Sequence, residues 1–280
     1  MCLVAKPRGP TSHDVVDIVR RALATTRVGH LGTLDPFAEG LLVVVVGRAT
    51  RLAPYAAAWR KSYDGVIRLG ATTSTDDGTG AVTGTSGAWQ ALDAEAVRTA
   101  AAHLVGELEQ RPPAYSAVKV GGERAYRRAR RGEAVVMAPR RVTVFGLEVT
   151  GWRPPDVEFR ATVSGGTYLR SLARDLGERL GCGAHLASLR RTGAGPFRLA
   201  DAVAPEAVTA ADVRDPAALV ADLPRRVLTG DEGEAIRHGR PIPGRETESG
   251  TIVLMADGSL VGLGEVVDGQ IKPRVVLADA

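Results

Sequence analysis

The feature that most constrains the fold is a polar, glycine-punctuated stretch that runs directly into an apolar one. Residues 28–40 contain three glycines and one proline, and residues 41–46 are all apolar. Such an apolar run suits a buried strand, and the glycines let the preceding loop turn or be approached closely. Pro36 restricts Asp35 to extended or turn geometry. The sequence therefore predicts a carboxylate held in a rigid loop beside a buried sheet.

Local chemistry leaves two interpretations of Asp35 open. Aspartate before proline is common in Asx-type turns, so a purely structural role is one of them. The other is a functional carboxylate, because a charged group beside a buried strand has few structural reasons to exist. The wider sequence is needed to choose between them.

The composition narrows the class of protein. The 280 residues are 44% hydrophobic and 24% charged, which is typical of one large or two unequal globular domains. No apolar run approaches the roughly 18–20 residues of a membrane span, and the N-terminus has no secretory pattern. Cys2 and Cys182, with five scattered histidines, match neither a disulfide framework nor a metal site. We therefore expect a cytoplasmic protein that needs no metal, binds no membrane and is monomeric.

The basic residues are mostly arginines. The chain has 36 Lys and Arg residues and a formal net charge of +4, but only four lysines, at positions 6, 61, 119 and 272. The guanidinium of arginine stacks on bases and forms two parallel hydrogen bonds with a phosphate, so the excess of arginine over lysine suits a nucleic-acid partner. A GC-rich genome produces the same excess. The clusters at 124–131, Arg140-Arg141 and Arg190-Arg191 favour phosphate binding; the alternative is a solvated helix face.

Hydrophobic spacing and turn residues predict the secondary structure. Helices are expected after a Thr11-Ser12 cap through Leu23, around 52–58, at 93–105, at 123–132, and at 165–177 with a Thr167 cap. Strands are expected at 3–4, 41–46, 62–69, 140–150 and 157–164, with a short element at 185–191. The polar loop 70–80 lacks phosphate-loop and calcium-loop spacing and is expected to be a surface hairpin loop.

The last part of the chain has a different pattern. Strands are predicted at 251–256, 260–267 and 271–277, and the two turns between them are Asp257-Gly258 and Asp268-Gly269. Asp-Gly between strands is a strong hairpin signal. The sequence therefore predicts a small β-barrel-like domain over 225–280, reached through a connector at 202–223 with one or two short helices.

Six blocks of sequence, in order, resemble the bacterial TruB family of tRNA pseudouridine-55 synthases. The blocks are Lys6-Pro-x-Gly-x-Thr-Ser-x-Asp-Val-Val16, Arg27-Val-Gly-His-Leu-Gly-Thr-Leu-Asp-Pro-x-Ala-x-Gly40, Lys61-x-Tyr63 with Arg68-Leu-Gly70, Pro112-Pro-x-Tyr-Ser-Ala-x-Lys119, Gly166-Thr-Tyr-Leu-Arg170 and Leu176-Gly-x-x-Leu-Gly-Cys-Gly-Ala-His185. The resemblance implies an α+β pseudouridine synthase fold, with a large mixed, mostly antiparallel sheet. It implies a catalytic domain at 1–224 and a small PUA-like RNA-binding domain at 225–280.

The resemblance also implies an activity and the residues that perform it. The expected enzyme is an isomerase that converts uridine-55 in the T-arm of tRNA to pseudouridine after flipping the base out of its stack. Asp35 matches the essential carboxylate, and Arg170 matches the arginine that keeps it ionised. Tyr63 matches a tyrosine that stacks on the base and helps to remove the C5 proton. Without the resemblance, Tyr63 would be taken for an ordinary half-buried strand aromatic.

A second group of residues is expected to bind the substrate. His30 matches a histidine that inserts into the RNA fold, Tyr168 and Leu189 match pocket residues, and Lys6 is either structural or phosphate-facing. The remaining expected contacts are Asp77 at the pocket and Arg124, Arg127 and Arg128 along the T-arm backbone. The reaction has no redox step, so we expect no cofactor and no obligatory protein partner.

Two alternatives to a stand-alone enzyme remain open from the sequence. One is a tRNA-folding chaperone, which would bind without needing Asp35. The other is a guide-dependent synthase subunit, as in archaeal and eukaryotic relatives, which carry larger C-terminal extensions. The sequence also leaves open whether Asp35 attacks the sugar C1′ or the base C6, or acts as a base in a glycal route.

Overall fold

A computed structural model gives the structure of the chain and describes residues 1–116, 118–133 and 137–277. Its strands are β1 Cys2–Lys6, β2 Val28–His30, β3 Glu39–Val46, β4 Lys61–Leu69, β5 Ala71–Thr73, β6 Val82–Thr85, β7 Gly106–Gln110, β8 Lys119–Val120, β9 Glu123–Arg124, β10 Arg140–Arg153, β11 Asp156–Val163, β12 Ala184–Ala194, β13 Phe197–Arg198, β14 Arg225–Val227, β15 Ile242–Pro243, β16 Thr251–Ala256, β17 Ser259–Val267 and β18 Gln270–Val276.

Helices of two kinds connect these strands. The α-helices are α1 Ser12–Ala22, α2 Ala94–Ala102, α3 Ala125–Arg130, α4 Leu169–Arg179 and α5 Gly230–Arg237. The 3₁₀-helices are Gly47–Ala56, Ala88–Ala91, Leu199–Asp201, Pro205–Ala207, Ala210–Asp212 and Pro216–Val220. Within the described ranges, none of the helices is both long and apolar enough to cross a membrane.

A large sheet forms the centre of the molecule and confirms the predicted α+β class. Its strand order is β1-β3-β12-β4-β11-β10-β7, with β2 added to β3 and β13 added to β12. The pairs are antiparallel except for β3 with β12, which run parallel over two residues. The sheet is therefore mixed and mostly antiparallel, as the sequence predicted.

The apolar run 41–46 forms most of β3, which is buried on both faces. Leu41 and Val43 pack into one hydrophobic cluster, together with the 3₁₀-helix Gly47–Ala56 and part of the C-terminal sheet. Leu42 and Val44 alternate onto the other face and pack against α1. A strand covered on both sides needs apolar residues at every position, which explains the unbroken run.

A third cluster lies between the large sheet and two helices, and it supports the region around Asp35. Apolar side chains of β4, β10, β11 and β12 pack there against α2 and α4. Leu34 and Phe37, which flank Asp35 in its loop, belong to the same cluster. The loop is therefore anchored by its apolar neighbours while Asp35 itself remains partly open.

The C-terminal strands form a separate, curled five-stranded sheet in the order β14-β16-β17-β18-β15. Both predicted hairpins are confirmed: Asp257 and Gly258 have φ of 51° and 74°, and Asp268 and Gly269 have φ of 53° and 71°. Two positive φ values in a row are typical of a type I′ turn. Val253, Leu263 and Val275 of this sheet pack into the cluster that contains β3. The domain boundary after residue 224 stays a prediction.

Three local predictions were only partly right. The loop 70–80 belongs to a hairpin of β5 and β6, as predicted, but it does not lie wholly at the surface, because Thr73 and Asp77 are buried and the loop hydrogen-bonds with Leu186 of β12. The helix expected around 52–58 is a 3₁₀-helix that begins at Gly47. Helix α4 is present, but it begins at Leu169, after Tyr168 and without the expected Thr167 cap.

Gly40 gives a test of how the Asp35 loop joins the sheet. Its φ is +110°, and a Cβ there would lie 2.3 Å from the Arg191 carbonyl oxygen of β12. Gly106 has a similar φ of +115° with no atom within 4 Å of its Cβ position. We expect Gly106→Ala to lower the free energy of unfolding by about 1–2 kcal/mol through backbone strain. Gly40→Ala adds the clash with the Arg191 carbonyl oxygen, so it should lower the free energy of unfolding by roughly 3 kcal/mol or more.

Urea denaturation of the two variants and the wild type measures this difference. Since the two glycines have nearly the same positive φ, Gly106→Ala is the matched control for strain alone. Equal losses in both variants would contradict a close approach of β12 to Gly40.

Candidate active site

The carboxylate of Asp35 faces the guanidinium of Arg170 across a gap between the loop and α4. Arg170 Nη2 donates to Asp35 Oδ1 at 3.2 Å, and Arg170 Nε lies 2.9 Å from Asp35 Oδ2. The Arg170 side chain is 5% exposed, whereas that of Asp35 is 35% exposed. The arginine is thus buried beneath the carboxylate, and the carboxylate remains accessible to a ligand.

Arg170 has three further partners, two in the 70–80 loop and one in the segment before α3. Nη1 donates to the Thr75 carbonyl at 3.0 Å, and Nη2 donates to the Tyr115 carbonyl at 2.9 Å. Nη1 also lies 3.5 Å from Asp77 Oδ2. These contacts hold the guanidinium in one orientation, since a planar fork satisfied on several sides has little freedom to rotate.

The surroundings of Asp35 pull its pKa in opposite directions. Burial raises the pKa above the ordinary value of an aspartate, the Arg170 guanidinium lowers it, and the nearby Asp77 raises it. Lys6 lowers it further. The ionised form of Asp35 therefore depends on the buried cations around it.

The backbone of the Asp35 loop is held by buried side chains from three elements. Lys6 of β1 is 1% exposed, and its Nζ donates to the Ala38 carbonyl at 2.7 Å. Ser12 of α1 accepts from the Leu34 amide at 2.8 Å and donates to its carbonyl at 2.9 Å. Of the two roles expected for Lys6, its burial excludes a phosphate-facing one and leaves the structural one. Burial lowers the pKa of Lys6 to about 8.

Arg191 of β12 also holds this loop, which corrects the expectation that Arg190-Arg191 forms a phosphate-binding pair. Its side chain is fully buried, and its nitrogens donate to the carbonyls of Leu41 at 2.7 Å and Gly32 at 3.0 Å. Arg190 points the other way and lies 3.7 Å from Glu39. Adjacent strand residues face opposite sides of a sheet, so only Arg190 is exposed.

The expected site residue Asp77 lies beside the ion pair. Its Oδ1 accepts from Thr75 Oγ1 at 2.8 Å and from the Thr79 amide at 2.9 Å. Its backbone bridges to Leu186 of β12, and the Gly78 amide donates to the Leu186 carbonyl. This side chain therefore turns inward and orients Arg170 from the side opposite Asp35.

Tyr63 and Leu189 lie in the apolar cluster next to Asp35. Tyr63, on β4, is 5% exposed and shares the cluster with Leu34 and Phe37. Leu189, on β12, is 7% exposed and lies opposite Gly65 of β4. Leu189 also borders an open groove of about 400 Å³, which neither Asp35 nor Arg170 lines. The apolar cluster, and not this groove, supplies a wall for a planar ligand beside Asp35.

Tyr168 precedes Arg170, and its backbone is held by a residue that sequence reasoning missed. Gln110, buried at the end of β7, donates to the Tyr168 carbonyl and accepts from the Tyr168 amide at 2.8 Å. Ser171 donates to the Arg111 carbonyl at 2.8 Å. Helix α4 is therefore joined to the segment that leads into α3. The sequence feature that could have pointed to Gln110 is its place shortly before Pro112 and Pro113.

The remaining expected contacts lie around the rim. His30, on β2, is half-buried, and its Nδ1 has no hydrogen-bond partner among the described residues. Burial lowers its pKa, and the Arg191 charge adds to that effect. Arg127 is exposed on α3, and Arg128 donates to Glu133 at 2.8 Å. Arg124 has its backbone in β9, while its side chain lies outside the described part of the structure.

The arrangement combines an accessible carboxylate, a buried guanidinium and an apolar wall. A carboxylate held in this way can act as a nucleophile or as a base. Over residues 1–116, 118–133 and 137–277, no cluster of three or more His, Cys, Asp or Glu side chains has the geometry to hold a metal ion.

Comparison with protein families gives three matches in succession along the chain. A model described as the TruB family pseudouridylate synthase N-terminal domain covers residues 20–169. The tRNA pseudouridylate synthase B C-terminal domain covers 170–230, and the pseudouridine synthase II TruB C-terminal model covers 224–277.

Similar proteins extend over nearly the whole chain. A Thermobifida fusca protein named tRNA pseudouridine synthase B is 46% identical over 287 residues, which cover 99% of this chain and 97% of the relative. A Cutibacterium acnes protein of the same name is 44% identical over 286 residues, covering 98% and 97%.

Solved structures of the same fold come from larger assemblies. A chain in the crystal structure of a Cbf5-Nop10-Gar1 complex superposes with a TM-score of 0.76 at 25% identity, covering 99% of this chain and 84% of that chain. A chain in an H/ACA RNP bound to a substrate RNA containing 2′-deoxyuridine gives 0.74 at 22% identity, with the same coverage. The second likeness shows the fold alone.

Removing the Arg170 charge tests the electrostatic account of the site. In Arg170→Gln, burial and Asp77 still raise the pKa of Asp35 while the main opposing cation is gone. We expect the pKa of Asp35 to rise above its wild-type value, as followed by the ¹³C shift of the carboxyl carbon in a pH titration. Arg174→Gln is the matched control, because Arg174 lies one turn later on α4 and pairs with Asp76 and Asp175 instead. An unchanged Asp35 pKa in Arg170→Gln would contradict this account.

Proposed function

The chain belongs to the TruB family of pseudouridine synthases, and we propose that its Asp35–Arg170 pair carries the reaction. Its close relatives are named tRNA pseudouridine synthase B, so the chain is an isomerase that converts uridine in tRNA to pseudouridine, at position 55 according to the family's specificity. The observation that carries the site proposal is a partly exposed carboxylate bound to a buried guanidinium.

The reaction is balanced without any co-reactant. The bond between N1 of uracil and C1′ of ribose breaks, the base rotates, and a bond forms between C5 and C1′. The proton on C5 leaves and N1 gains one, so no atom or electron is added overall. The target base must first leave its stack, because the glycosidic bond and C5 are otherwise out of reach of a side chain.

Asp35 supplies the group that starts this sequence. As an anion it either adds to C1′ or C6 of the flipped nucleotide or removes a sugar proton in a glycal route, and both routes need an ionised carboxylate. Arg170 favours the ionised form and holds the carboxylate in place, while Asp77 orients Arg170. This preorganisation reduces the reorientation needed when the substrate arrives.

Tyr63 and the apolar residues around Asp35 would form the surface on which the flipped base stacks. A uracil ring stacks favourably on an aromatic side chain, and Tyr63 lies in the cluster with Leu34, Phe37 and Leu189. Its hydroxyl would accept or relay the C5 proton. Tyr168, held by Gln110 at the start of α4, would close the pocket from the other side.

The protein is proposed to act on the T-arm of tRNA as a monomer and without a protein partner. Arg127 and Arg128 of α3 would follow the phosphate backbone, and His30 would contact the unpaired elbow. Such contacts make affinity fall with salt. We also propose a cytoplasmic location, because Cys2 and Cys182 are free thiols and the substrate is tRNA.

Tritium release tests the role of Asp35. C5-tritiated, unmodified tRNA loses its label only when C5 forms the new bond. We expect Asp35→Asn to reduce release by about a thousandfold or more, since a neutral amide neither attacks nor abstracts a proton. Affinity for tRNA should stay close to the wild-type value. Asp64→Asn is the matched control: Asp64 follows Tyr63 on β4, faces the other side of the sheet and pairs with Arg160.

The same experiment separates the stand-alone enzyme from its alternatives. Binding by the wild type without any release would indicate a chaperone or an enzyme that needs a guide RNA, and the stand-alone proposal would be abandoned. Full release by Asp35→Asn would remove Asp35 from the chemistry.

A further inference from the structure

Lys61 is a half-buried cation beside the active site that the proposed mechanism does not use. It begins β4, two residues before Tyr63, so both side chains project from the same face of the strand about 7 Å apart. Its Nζ packs against Gly32, three residues before Asp35: a Cβ on Gly32 would lie 3.2 Å from that nitrogen. The ammonium group thus lies against the Asp35 loop, on the same face of β4 as Tyr63.

No acceptor for this ammonium lies within the described parts of the chain. Lys61 makes no side-chain hydrogen bond and no ion pair there, in contrast to the nearby Lys6, whose Nζ is bound by carbonyls. The closest charged neighbour is Arg191, which carries the same sign and already donates to the Leu41 and Gly32 carbonyls. Two cations thus border Gly32 without a carboxylate between them.

The electrostatic balance agrees with this geometry. Burial lowers the pKa of Lys61 to about 8, Arg191 lowers it as well, and no carboxylate raises it. A half-buried charge without a partner costs folding free energy, so a purely structural lysine would be expected to have an acceptor. A hydrophobic residue would fill the same space at lower cost. The missing anion therefore comes from outside the chain.

We propose that Lys61 binds a backbone phosphate of the tRNA immediately beside the flipped uridine. This inference rests on the proposed function, which brings an RNA strand to Asp35. Phosphate is the anionic group of RNA, and a flexible lysine ammonium serves as its point-charge partner. The position of Lys61 limits the choice to the phosphates that flank the target nucleotide.

Gly32 fits this assignment. It has φ of +96°, and a Cβ there would crowd the Lys61 ammonium, so a glycine at this position makes room for the cation. A phosphate at this place would approach the lysine ammonium where it borders the glycine backbone. Capture of the phosphate would hold the flipped nucleotide over Tyr63.

The test measures binding in an Asp35→Asn background, where turnover does not complicate the assay. Fluorescence anisotropy of a labelled T-arm hairpin gives Kd over a range of salt concentrations. We expect Asp35→Asn/Lys61→Gln to bind about tenfold more weakly than Asp35→Asn alone. The slope of log K against log salt should become shallower by about 0.7–0.9, the amount of one lost phosphate contact.

A charge-matched control separates a specific contact from general charge loss. Arg98→Gln removes one positive charge from the exposed face of α2, where Arg98 pairs only with Glu95 within the described structure. This variant should keep both Kd and the salt slope of its parent.

Hairpins with single methylphosphonate linkages identify the phosphate. In the Asp35→Asn parent, neutralising one linkage next to the target uridine should weaken binding about tenfold, and the same change should cost nothing further in the Lys61→Gln double variant. If every linkage weakens both proteins equally, or if Lys61→Gln leaves Kd and slope unchanged, the proposal is overturned.

Two further results keep the proposal testable. A lower melting temperature in Lys61→Gln with an unchanged salt slope would show that the residue only supports the Gly32 loop. If the Lys61→Gln variant does not fold, the methylphosphonate scan of Asp35→Asn alone tests the proposal. The absence of a sensitive phosphate beside the target uridine then overturns the assignment.

The two proposals fail in different ways. Binding is measured without turnover, whereas an error in the role of Asp35 would appear as tritium release by Asp35→Asn.

Discussion

The interaction on which the rest of the site depends is the ion pair between Asp35 and Arg170. One guanidinium, 5% exposed, contacts Asp35, Asp77 and two backbone carbonyls. A buried ion pair adds little net stability, because desolvating both charges costs about as much as their attraction returns. Its contribution is positional. It joins the Asp35 loop, the 70–80 loop, the segment before α3 and the start of α4 around a single carboxylate.

The loop that carries Asp35 is also held mainly by buried donors, and this has an electrostatic consequence. Lys6, Ser12 and Arg191 bind loop carbonyls from β1, α1 and β12 in turn. Two of the three are cations, so they satisfy the backbone and favour the ionised carboxylate at the same time. Together with Lys61, the buried Lys6 and Arg191 make the electrostatic potential around this loop positive, which suits an RNA strand. Burying these charges costs some folding free energy, and the result is a site that is charged and preorganised.

Much of the fold was predictable because its signals are local. The run 41–46 became a strand buried on both faces, and α1 begins at a Thr11 capping box with Asp14. Both Asp-Gly pairs formed hairpin turns in the C-terminal sheet. In the site, the choice of Asp35 and Arg170 came from motifs, and the structure brings the two together although they are 135 residues apart. Asp77 was expected at the site, but its burial and that of Arg191 were not foreseen, since a polar loop and a paired arginine look exposed until their partners are known.

The sequence by itself determined the elements whose physical causes lie within a few residues: helix caps, turn glycines, strand periodicity and the carboxylate before Pro36. It also determined the family, through motifs in a fixed order. Only the tertiary structure decided which charged groups are buried and what they contact. The side chain of Arg191 reaches the Leu41 carbonyl across 150 residues of chain, and Lys61 lies against Gly32 without an acceptor among the residues that the structure describes. Burial and pairing are set by strand register and loop packing, which no local pattern of residues specifies.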